Sequence, residues 1–234
     1  MRILDGAELR DFIKERQAKQ VRALRQSWRV FPKLVIFYSS KNPVTETYMQ
    51  LKEKYGEDIL IEVERRKVAV EFMKKEIQKA NLDENIHGII VQLPLEDENS
   101  KKISKEETEQ ILSEISKEKD VDGLNDGAFV PATAQAINWL LAGYNISLEN
   151  KKVAIVGQGK LVGAPLSKML EASGVPVSKF DEFNSKEMKE QLKDFDVVIT
   201  AVGKPGLITS EMLKNKAVVV DAGTANENGK IKGD

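Results

Sequence analysis

Short apolar runs rich in β-branched residues alternate along this chain with longer segments whose apolar residues recur at helical spacing. In the first half, the short runs predict strands at residues 33–38, 58–63 and 87–93. The longer segments predict helices at residues 8–28, 45–54, 70–81 and 105–115, with Thr45 as a candidate N-cap. Parallel strands need a crossover connection, and a helix supplies one. The alternation therefore predicts helices layered on a parallel sheet.

The alternation continues in the second half, where strands are predicted at residues 153–156, 175–180, 196–202 and 216–221. Helices are predicted at residues 133–142, 165–173 and 188–194. A length of 234 residues is enough for two compact domains, each with its own core. We therefore predict an α/β protein of two domains, at residues 1–132 and 133–234.

Composition makes several classes of chemistry improbable. The chain has no cysteine and one histidine, so thiolate metal sites, cysteine nucleophiles and histidine-rich metal centres are not expected. We interpret His87 as a structural residue at the start of a strand, and we expect no metal site. The net charge of -1 gives no general attraction to nucleic acid, and no apolar run reaches the roughly 18 residues of a membrane span. We expect a soluble cytoplasmic protein with neither nucleic acid nor a membrane as a partner.

A glycine-rich turn is the first candidate binding feature. The strand at residues 153–156 leads into Gly157-Gln-Gly-Lys-Leu-Val-Gly163, and a helix follows directly. Such a turn places backbone amides at a helix N-terminus, where a pyrophosphate binds, although a strand–turn–helix without a ligand is the alternative. Asp181 ends the next predicted strand, where a carboxylate accepts the ribose hydroxyls of NAD and repels the 2′-phosphate of NADP. The neighbouring Lys179 keeps NADP open as the cofactor, but the turn and Asp181 together favour NAD.

Two further glycine-containing turns follow later strands, at residues 201–205 and 221–224. In an open parallel sheet, ligands bind beyond the carboxyl ends of the strands, so these turns should line the same crevice. Gly203 and Gly223 would allow the cofactor to approach the backbone closely. Ordinary strand-ending turns are the alternative interpretation.

The first half contains four polar residues that could carry chemistry. Tyr48 and Lys52 are four apart on a predicted helix and share one face, which is also the spacing of an ordinary surface contact. Gln92 lies in an otherwise apolar strand, where its amide must find a partner. Asp120 and Asp122 flank Val121, and turn formation is their alternative role.

In their order and spacing, these motifs resemble the methylenetetrahydrofolate dehydrogenase/methenyltetrahydrofolate cyclohydrolase family. The resemblance is carried by Tyr48-x-x-x-Lys52, His87-Gly-Ile-Ile-Val-Gln-Leu-Pro-Leu95 and Lys119-Asp-Val-Asp-Gly123. It continues through further motifs, which are Pro131-Ala-Thr133, Val162-Gly-Ala-Pro165, Ala201-Val-Gly-Lys-Pro205, Val220-Asp-Ala-Gly223 and Gly229-Lys-Ile-Lys-Gly-Asp234. The resemblance implies an N-terminal α/β catalytic domain, a C-terminal Rossmann-like dinucleotide-binding domain, and folate in a cleft between the two domains.

The resemblance also implies an activity and a site. The family oxidises 5,10-methylenetetrahydrofolate with NAD(P)+ to the methenyl form and hydrolyses that product to 10-formyltetrahydrofolate, commonly as a homodimer. Lys52 would be the general acid/base and Tyr48 would stack on or orient the folate. Gln92 would set the protonation of Lys52, and Asp122 would hold the pterin donors, with Leu93 and Pro94 completing the substrate site. The implied cofactor-binding set is Thr133, Gly157, Gln158, Gly159, Val162, Gly163, Asp181, Ala201, Gly203, Gly223 and Thr224.

The chain departs from the family pattern in several places. Gly157-Gln-Gly159 replaces the family's Gly-Arg-Ser, and Phe180-Asp-Glu182 replaces a His-Ser segment, so expected partners of a 2′-phosphate are lost. The connection between Gly123 and Pro131 is shorter than in the family, and we expect a family member that lacks the usual segment after Asp234. Two alternatives remain. One is a degenerate member that binds nucleotide or folate without turnover, and the other is an NAD-linked dehydrogenase of the shikimate or amino-acid type.

Overall fold

The computed structural model describes residues 2–40, 42–125, 129–181, 185–227 and 230–234. The chain forms two compact units, Asp5–Phe129 and Val130–Asp234, and the N-terminal residues up to Leu4 belong with the latter. Each unit has a parallel sheet with helices, so the predicted α/β fold class is confirmed. Within the described ranges, every helix is too short or too polar to cross a bilayer.

The first unit has a parallel three-stranded sheet with the strand order β2-β1-β3. Its elements, in chain order, are α1 (Gly6–Ser27), β1 (Lys33–Tyr38), α2 (Pro43–Ile59), β2 (Glu62–Lys67), α3 (Val70–Leu82), β3 (Gly88–Val91) and α4 (Lys105–Leu112). Successive side chains of β1 enter two cores. Phe37 packs with Met73 of α3, and Ile36 packs with Met49 of α2. Helices therefore cover both faces of the sheet, as parallel strands require.

The strand predicted at residues 58–63 is wrong in position. Helix α2 continues to Ile59, which is 4% exposed, and β2 begins only at Glu62. The chain reverses at Leu60, which has a left-handed φ of 66°. A Cβ on Gly56 would overlap Val63, so the missing side chain of Gly56 lets the chain fold back over the helix end. Ile59 is buried as the last residue of α2, and this burial outweighs the preference of isoleucine for strands.

The start of α2 also differs from the prediction. The helix begins at Pro43, so Thr45 lies within its first turn rather than at the N-cap, and Thr45 is buried. Proline is tolerated in this turn because its missing N–H would have no helical partner there. In α1, only Ala18 and Val21 are buried, whereas Phe12 of the predicted apolar face is 67% exposed. The apolar face of α1 is therefore only partly covered.

The second unit has a parallel four-stranded sheet with the strand order β5-β4-β6-β7. Its elements are α5 (Ala132–Gly143), β4 (Val153–Val156), α6 (Gly163–Ala172), β5 (Val177–Phe180), α7 (Ser185–Gln191), β6 (Val197–Thr200) and β7 (Val218–Asp221), with an antiparallel pair, β8 (Ala225–Glu227) and β9 (Lys230–Lys232). Short 3₁₀ turns span Leu192–Asp194 and Ser210–Met212. From β4 the chain moves outward to β5 and then returns to the other side of β4 with β6. This reversal is a topological switch point between β4 and β6.

Both faces of the second sheet are covered. Ile155 of β4 packs in one core with Leu166 of α6, and Val156 packs in another with Phe180 and Leu192. Alternate residues of β4 therefore enter opposite cores, which explains the fully apolar sequence of this strand. The pair β8–β9 was not predicted, because its sequences, Ala-Asn-Glu and Lys-Ile-Lys, are too short and polar to give a strand pattern.

Candidate active site

Lys52 and Gln92 of the first unit are joined by a hydrogen bond. Lys52 lies on α2 and Gln92 directly follows β3, and the Lys52 Nζ donates to the Gln92 Oε1 at 2.7 Å. The Gln92 Nε2 donates to the Leu93 carbonyl oxygen at 3.1 Å, and the Gln92 backbone N–H donates to the Phe37 carbonyl oxygen at 2.8 Å. Both ends of the Gln92 amide are therefore engaged, and its carbonyl oxygen is turned toward the lysine.

Asp122 lies in a turn that Asp120 holds together. The fully buried Asp120 carboxylate accepts hydrogen bonds from the Gly123 N–H at 3.1 Å and the Asn125 N–H at 2.7 Å. The Asn125 Nδ2 in turn donates to the Leu112 carbonyl oxygen at 2.6 Å. Turn formation, the alternative that the sequence left open, is thus what Asp120 does. Asp122, two residues later, is the carboxylate whose charge acts on the pKa of Lys52.

Burial destabilises the charged forms of Lys52 and Asp122. Desolvation lowers the pKa of Lys52, and the charge of Asp122 opposes this shift. Desolvation likewise raises the pKa of Asp122, where the charge of Lys52 opposes the rise and that of Asp120 adds to it. A lysine whose pKa is lowered can release and accept a proton closer to neutral pH than an exposed lysine. This arrangement is suited to proton transfer.

Tyr48 lies one turn before Lys52 on the same face of α2, and 41% of it is exposed. Its ring is therefore available to a ligand. Leu93 and Pro94 follow Gln92 and are half-buried, and the peptide bond between them is cis. His87 directly precedes β3, and its Nδ1 accepts a hydrogen bond from the Lys33 N–H at 3.3 Å.

We predict that Asp122→Asn lowers the pKa of Lys52 further, because it removes the charge that opposes the effect of burial. With a lower pKa, the neutral amine becomes the main form at a lower pH, so a rate that depends on neutral Lys52 would rise at lower pH. An NMR titration of the Lys52 side chain in lysine-labelled protein measures this pKa directly. Glu118→Gln, which removes an exposed carboxylate nearby, is the matched control. A Lys52 pKa that rises or stays constant in Asp122→Asn would contradict the prediction.

Three glycines of the turn after β4 differ in what their missing side chains allow. Gly157 has a left-handed φ of 93°, and a Cβ there would lie 2.6 Å from the Ala201 carbonyl oxygen. A Cβ on Gly163 would overlap the Gly157 carbonyl oxygen, so this glycine lets α6 begin close to β4. A Cβ on Gly159 would meet no atom of the described residues within 4 Å. The open side of the turn, where a ligand could approach, is therefore at Gly159.

The residue that replaces the family's arginine is folded back onto its own unit. The Gln158 Nε2 donates to the Ile155 carbonyl oxygen at 3.3 Å, and its Oε1 accepts from the Ser167 hydroxyl at 3.2 Å. Lys179 makes an ion pair with Glu171 at 2.8 Å. Asp181 is half-buried and directly follows β5, while Glu182 lies outside the described residues.

The remaining candidate residues lie near strand ends or helix starts. Val162 directly precedes α6, and Thr133 is exposed in the first turn of α5. Ala201 follows β6, and its N–H donates to the Val156 carbonyl oxygen at 2.8 Å, so the turns after β4 and β6 are neighbours at the switch point. Gly203 has a φ of 76°, Gly223 is buried and Thr224 is exposed.

Asp234 is a residue of this region that the sequence does not single out. The carboxylate of Asp234 accepts hydrogen bonds from the backbone of the turn after β6, at Val202 and Lys204. The donors are backbone N–H groups, which leave no mark in a sequence. The available signals were the glycines at 203 and 223, which the sequence analysis assigned to the approach of a cofactor.

Comparisons with known proteins agree with this geometry. The catalytic-domain model of the tetrahydrofolate dehydrogenase/cyclohydrolase family matches residues 4–122, and the NAD(P)-binding-domain model matches residues 131–234. The bifunctional protein FolD of Staphylococcus carnosus (strain TM300) is 34% identical, over 100% of this chain and 84% of the relative.

Two solved structures extend the comparison. The bifunctional FolD methylenetetrahydrofolate dehydrogenase/cyclohydrolase of Campylobacter jejuni has a TM-score of 0.89 and 32% identity, covering 100% of this chain and 85% of that one. The Trypanosoma brucei dehydrogenase-cyclohydrolase, complexed with NADP and an inhibitor, has a TM-score of 0.88 and 25% identity, covering 99% and 84%. With both units matched by family models and the resemblance of the motifs confirmed, the chain belongs to the tetrahydrofolate dehydrogenase/cyclohydrolase family.

Proposed function

We propose that this protein oxidises 5,10-methylenetetrahydrofolate to 5,10-methenyltetrahydrofolate with NAD(P)+ and then hydrolyses the product to 10-formyltetrahydrofolate. The observation that carries the proposal is the hydrogen bond between Lys52 and Gln92, with Asp122 acting on the same lysine. The two solved structures compared above cover 100% and 99% of this chain and bear the names of these two activities. In this proposal, residues 1–132 bind and convert the folate, and residues 133–234 bind the nucleotide.

The folate would be held by Asp122 and Tyr48. A carboxylate can accept paired N–H donors from a pterin ring, and charge assistance makes such hydrogen bonds strong. The exposed ring of Tyr48 offers a stacking surface one helical turn from Lys52. Leu93 and Pro94 would line the pocket beside Gln92. Binding in this pose brings the one-carbon unit of the folate to the Lys52 amine.

Lys52 would carry the protons of the hydrolytic step. Neutral Lys52 accepts a proton as water adds to the methenyl carbon, and it returns that proton to the folate nitrogen that leaves when the ring opens. The remaining hydroxyl proton of the adduct passes to water as the formyl carbonyl forms. The lowered pKa of Lys52 makes both directions accessible, and Gln92 holds the Nζ in place. In the preceding oxidation, residues 133–234 would hold the nicotinamide nucleotide, which would supply the acceptor for a hydride from the methylene carbon of the folate.

The second unit has features that fit a dinucleotide. The N-terminus of α6 follows a turn whose side at Gly159 is open, and backbone amides there can receive a pyrophosphate. The turns after β4, β6 and β7 lie beyond the carboxyl ends of parallel strands, where such sheets bind ligands. The cofactor-binding residues that we propose also include Thr133, Val162 and Thr224.

We further propose that NAD is preferred over NADP. Gln158 is bonded to Ser167, and Lys179 is paired with Glu171, so both side chains are engaged within their own unit. The carboxylate of Asp181 follows β5, where it would accept the ribose hydroxyls and repel a 2′-phosphate.

Asp181→Ala is expected to lower the ratio of kcat/KM for NAD to that for NADP by about tenfold, because it removes a hydrogen-bond acceptor and a repulsive charge together. Initial rates with each nucleotide at saturating folate give the ratio. Asp194→Ala, which removes an exposed carboxylate of the same unit, is the control and should keep the ratio of the unsubstituted protein. An unchanged ratio in Asp181→Ala would remove this residue from the ribose site.

The proposed dehydrogenase is tested by the rise in NADH or NADPH absorbance when 5,10-methylenetetrahydrofolate is added with either nucleotide. Turnover with NAD supports the full proposal, and turnover with NADP alone supports the reaction but overturns the cofactor preference. Folded protein that binds tetrahydrofolate or nucleotide without turnover would instead be a binding protein of this family. We also propose a cytoplasmic homodimer, and light scattering should then give the mass of two chains.

A further inference from the structure

The side chain of Asp234 is held by the loop that follows β6. Its Oδ2 accepts a hydrogen bond from the Val202 N–H at 2.7 Å, and its Oδ1 accepts one from the Lys204 N–H at 2.6 Å. Between the two donors, Gly203 has a left-handed φ of 76°. The loop therefore turns two amides toward one carboxylate, and such charge-assisted bonds are stronger than those between neutral groups.

The backbone of Asp234 is anchored as well. Its N–H donates to the Asp221 Oδ1 at 3.2 Å, and its carbonyl oxygen accepts from the Ile208 N–H at 3.1 Å. The same Asp221 Oδ1 accepts from the Gly223 N–H at 2.9 Å and from the Thr200 hydroxyl at 3.2 Å. Asp234, which is 9% exposed, therefore links the loop after β6 to the end of β7.

Two glycines leave the space that these carboxylates occupy. A Cβ on Gly223 would overlap the carboxyl group of Asp234, and a Cβ on Gly233 would overlap that of Asp221. From sequence alone, the small size of Gly223 indicates a close approach of the cofactor. In the structure, the space beside its Cα is filled by the Asp234 carboxylate.

We propose that Asp234 is a positioning residue for the nicotinamide nucleotide, because its carboxylate fixes the backbone of residues 201–205 in the shape that the nucleotide meets. The inference rests on the proposed function, since it takes the second unit to bind the nucleotide. Ala201 begins this loop, and its carbonyl oxygen lies against Gly157 at the switch point. Without the carboxylate, the two amides would turn to water, and binding would have to reorder the loop.

The first test is direct binding of NAD and NADP to Asp234→Ala, measured by titration calorimetry. We expect the Kd to rise about tenfold, the effect of losing a hydrogen bond to a charged group. In turnover, the KM for the nucleotide should rise while kcat changes less. A purely structural role would reduce the folded fraction, which lowers the apparent kcat and leaves KM unchanged. Asp194→Asn, at an exposed position of the same unit, is the control.

The second test is a double-substitution cycle with Gly223→Ala. In the unsubstituted protein, the added methyl group displaces the Asp234 carboxylate, so the Kd for the nucleotide should rise about tenfold. In the Asp234→Ala background, the same substitution should add less than about twofold, because the carboxylate is already gone. If Gly223 itself contacts the nucleotide, Gly223→Ala weakens binding equally in both backgrounds, which overturns the inference.

Nucleotide binding by the unsubstituted protein distinguishes failure of this inference from failure of the proposed function. If it binds neither nucleotide, both are contradicted. If it binds and Asp234→Ala binds equally well, the proposed function stands and the positioning role of Asp234 is wrong. A raised KM in Asp234→Ala, together with coupling to Gly223→Ala, supports the inference.

Discussion

Lys52→Met is expected to lower the rate of hydrolysis of 5,10-methenyltetrahydrofolate by about 100-fold or more, which is the size of effect that a positioned general acid/base supplies. Methionine is also unbranched and is only one atom shorter than lysine, but it has no amine that could accept or donate a proton. Folate affinity should change by less than about threefold, because Asp122 and Tyr48 remain. Hydride transfer moves no proton, so the dehydrogenase rate should fall less. Loss of the methenyl absorbance gives the hydrolytic rate.

Lys54 provides the control for this experiment. It lies on the same helix, is exposed and pairs with Asp58 at 3.1 Å. Lys54→Met removes an equivalent positive charge without touching Gln92, so hydrolysis should continue at the rate of the unsubstituted protein. Unchanged hydrolysis in Lys52→Met, or an equal loss in both variants, would contradict the role of Lys52.

Asp122→Ala is expected to weaken tetrahydrofolate binding by about 10- to 100-fold while nucleotide binding changes by less than about twofold. This loss of affinity is the size expected because a hydrogen bond to a charged group contributes roughly 1.5–3 kcal/mol. The selectivity follows from the placement of Asp122 in the first unit, whereas the nucleotide features lie in the second. Titration calorimetry with tetrahydrofolate and with NAD measures both affinities.

Glu118→Ala is the matched control, since it removes an exposed carboxylate four positions earlier and should leave both affinities unchanged. Asp120 is unsuitable because its carboxylate holds the turn through Gly123 and Asn125. Equal losses of folate and nucleotide affinity in Asp122→Ala would indicate a folding defect instead of a lost ligand contact.

Part of the site around Lys52 could be predicted from simple rules, whereas the pairing of Gln92 with Lys52 was implied only by the family resemblance. Tyr48 and Lys52 are four apart on a helix, so they share a face wherever the helix lies. Gln92 is a polar amide at the end of an apolar run and needed a partner, and in the structure that partner is Lys52. Spacing alone could not separate the roles of Asp120 and Asp122, because both flank Val121 in one turn and only their contacts distinguish them.

The error at β2 has a physical cause. This strand lies at the edge of its sheet, and its sequence, Glu-Val-Glu-Arg-Arg-Lys, is mostly charged. Charged edge strands are common because they prevent pairing with other chains, but they lack the apolar alternation that predicts a strand. In this chain, the apolar residues just before β2, at the end of α2 and in the following turn, led to the misplaced strand prediction. The role of Asp234 was missed for another reason, since its partners are backbone amides of a distant loop.

The most direct test of the account is the hydrolysis of 5,10-methenyltetrahydrofolate by the unsubstituted protein with no nucleotide present. This step uses only the group around Lys52 and Gln92, which lies wholly within the first unit. The account predicts loss of the methenyl absorbance at a rate at least about 100-fold above that of buffer alone. Protein that binds tetrahydrofolate yet hydrolyses the methenyl form no faster than buffer would contradict it.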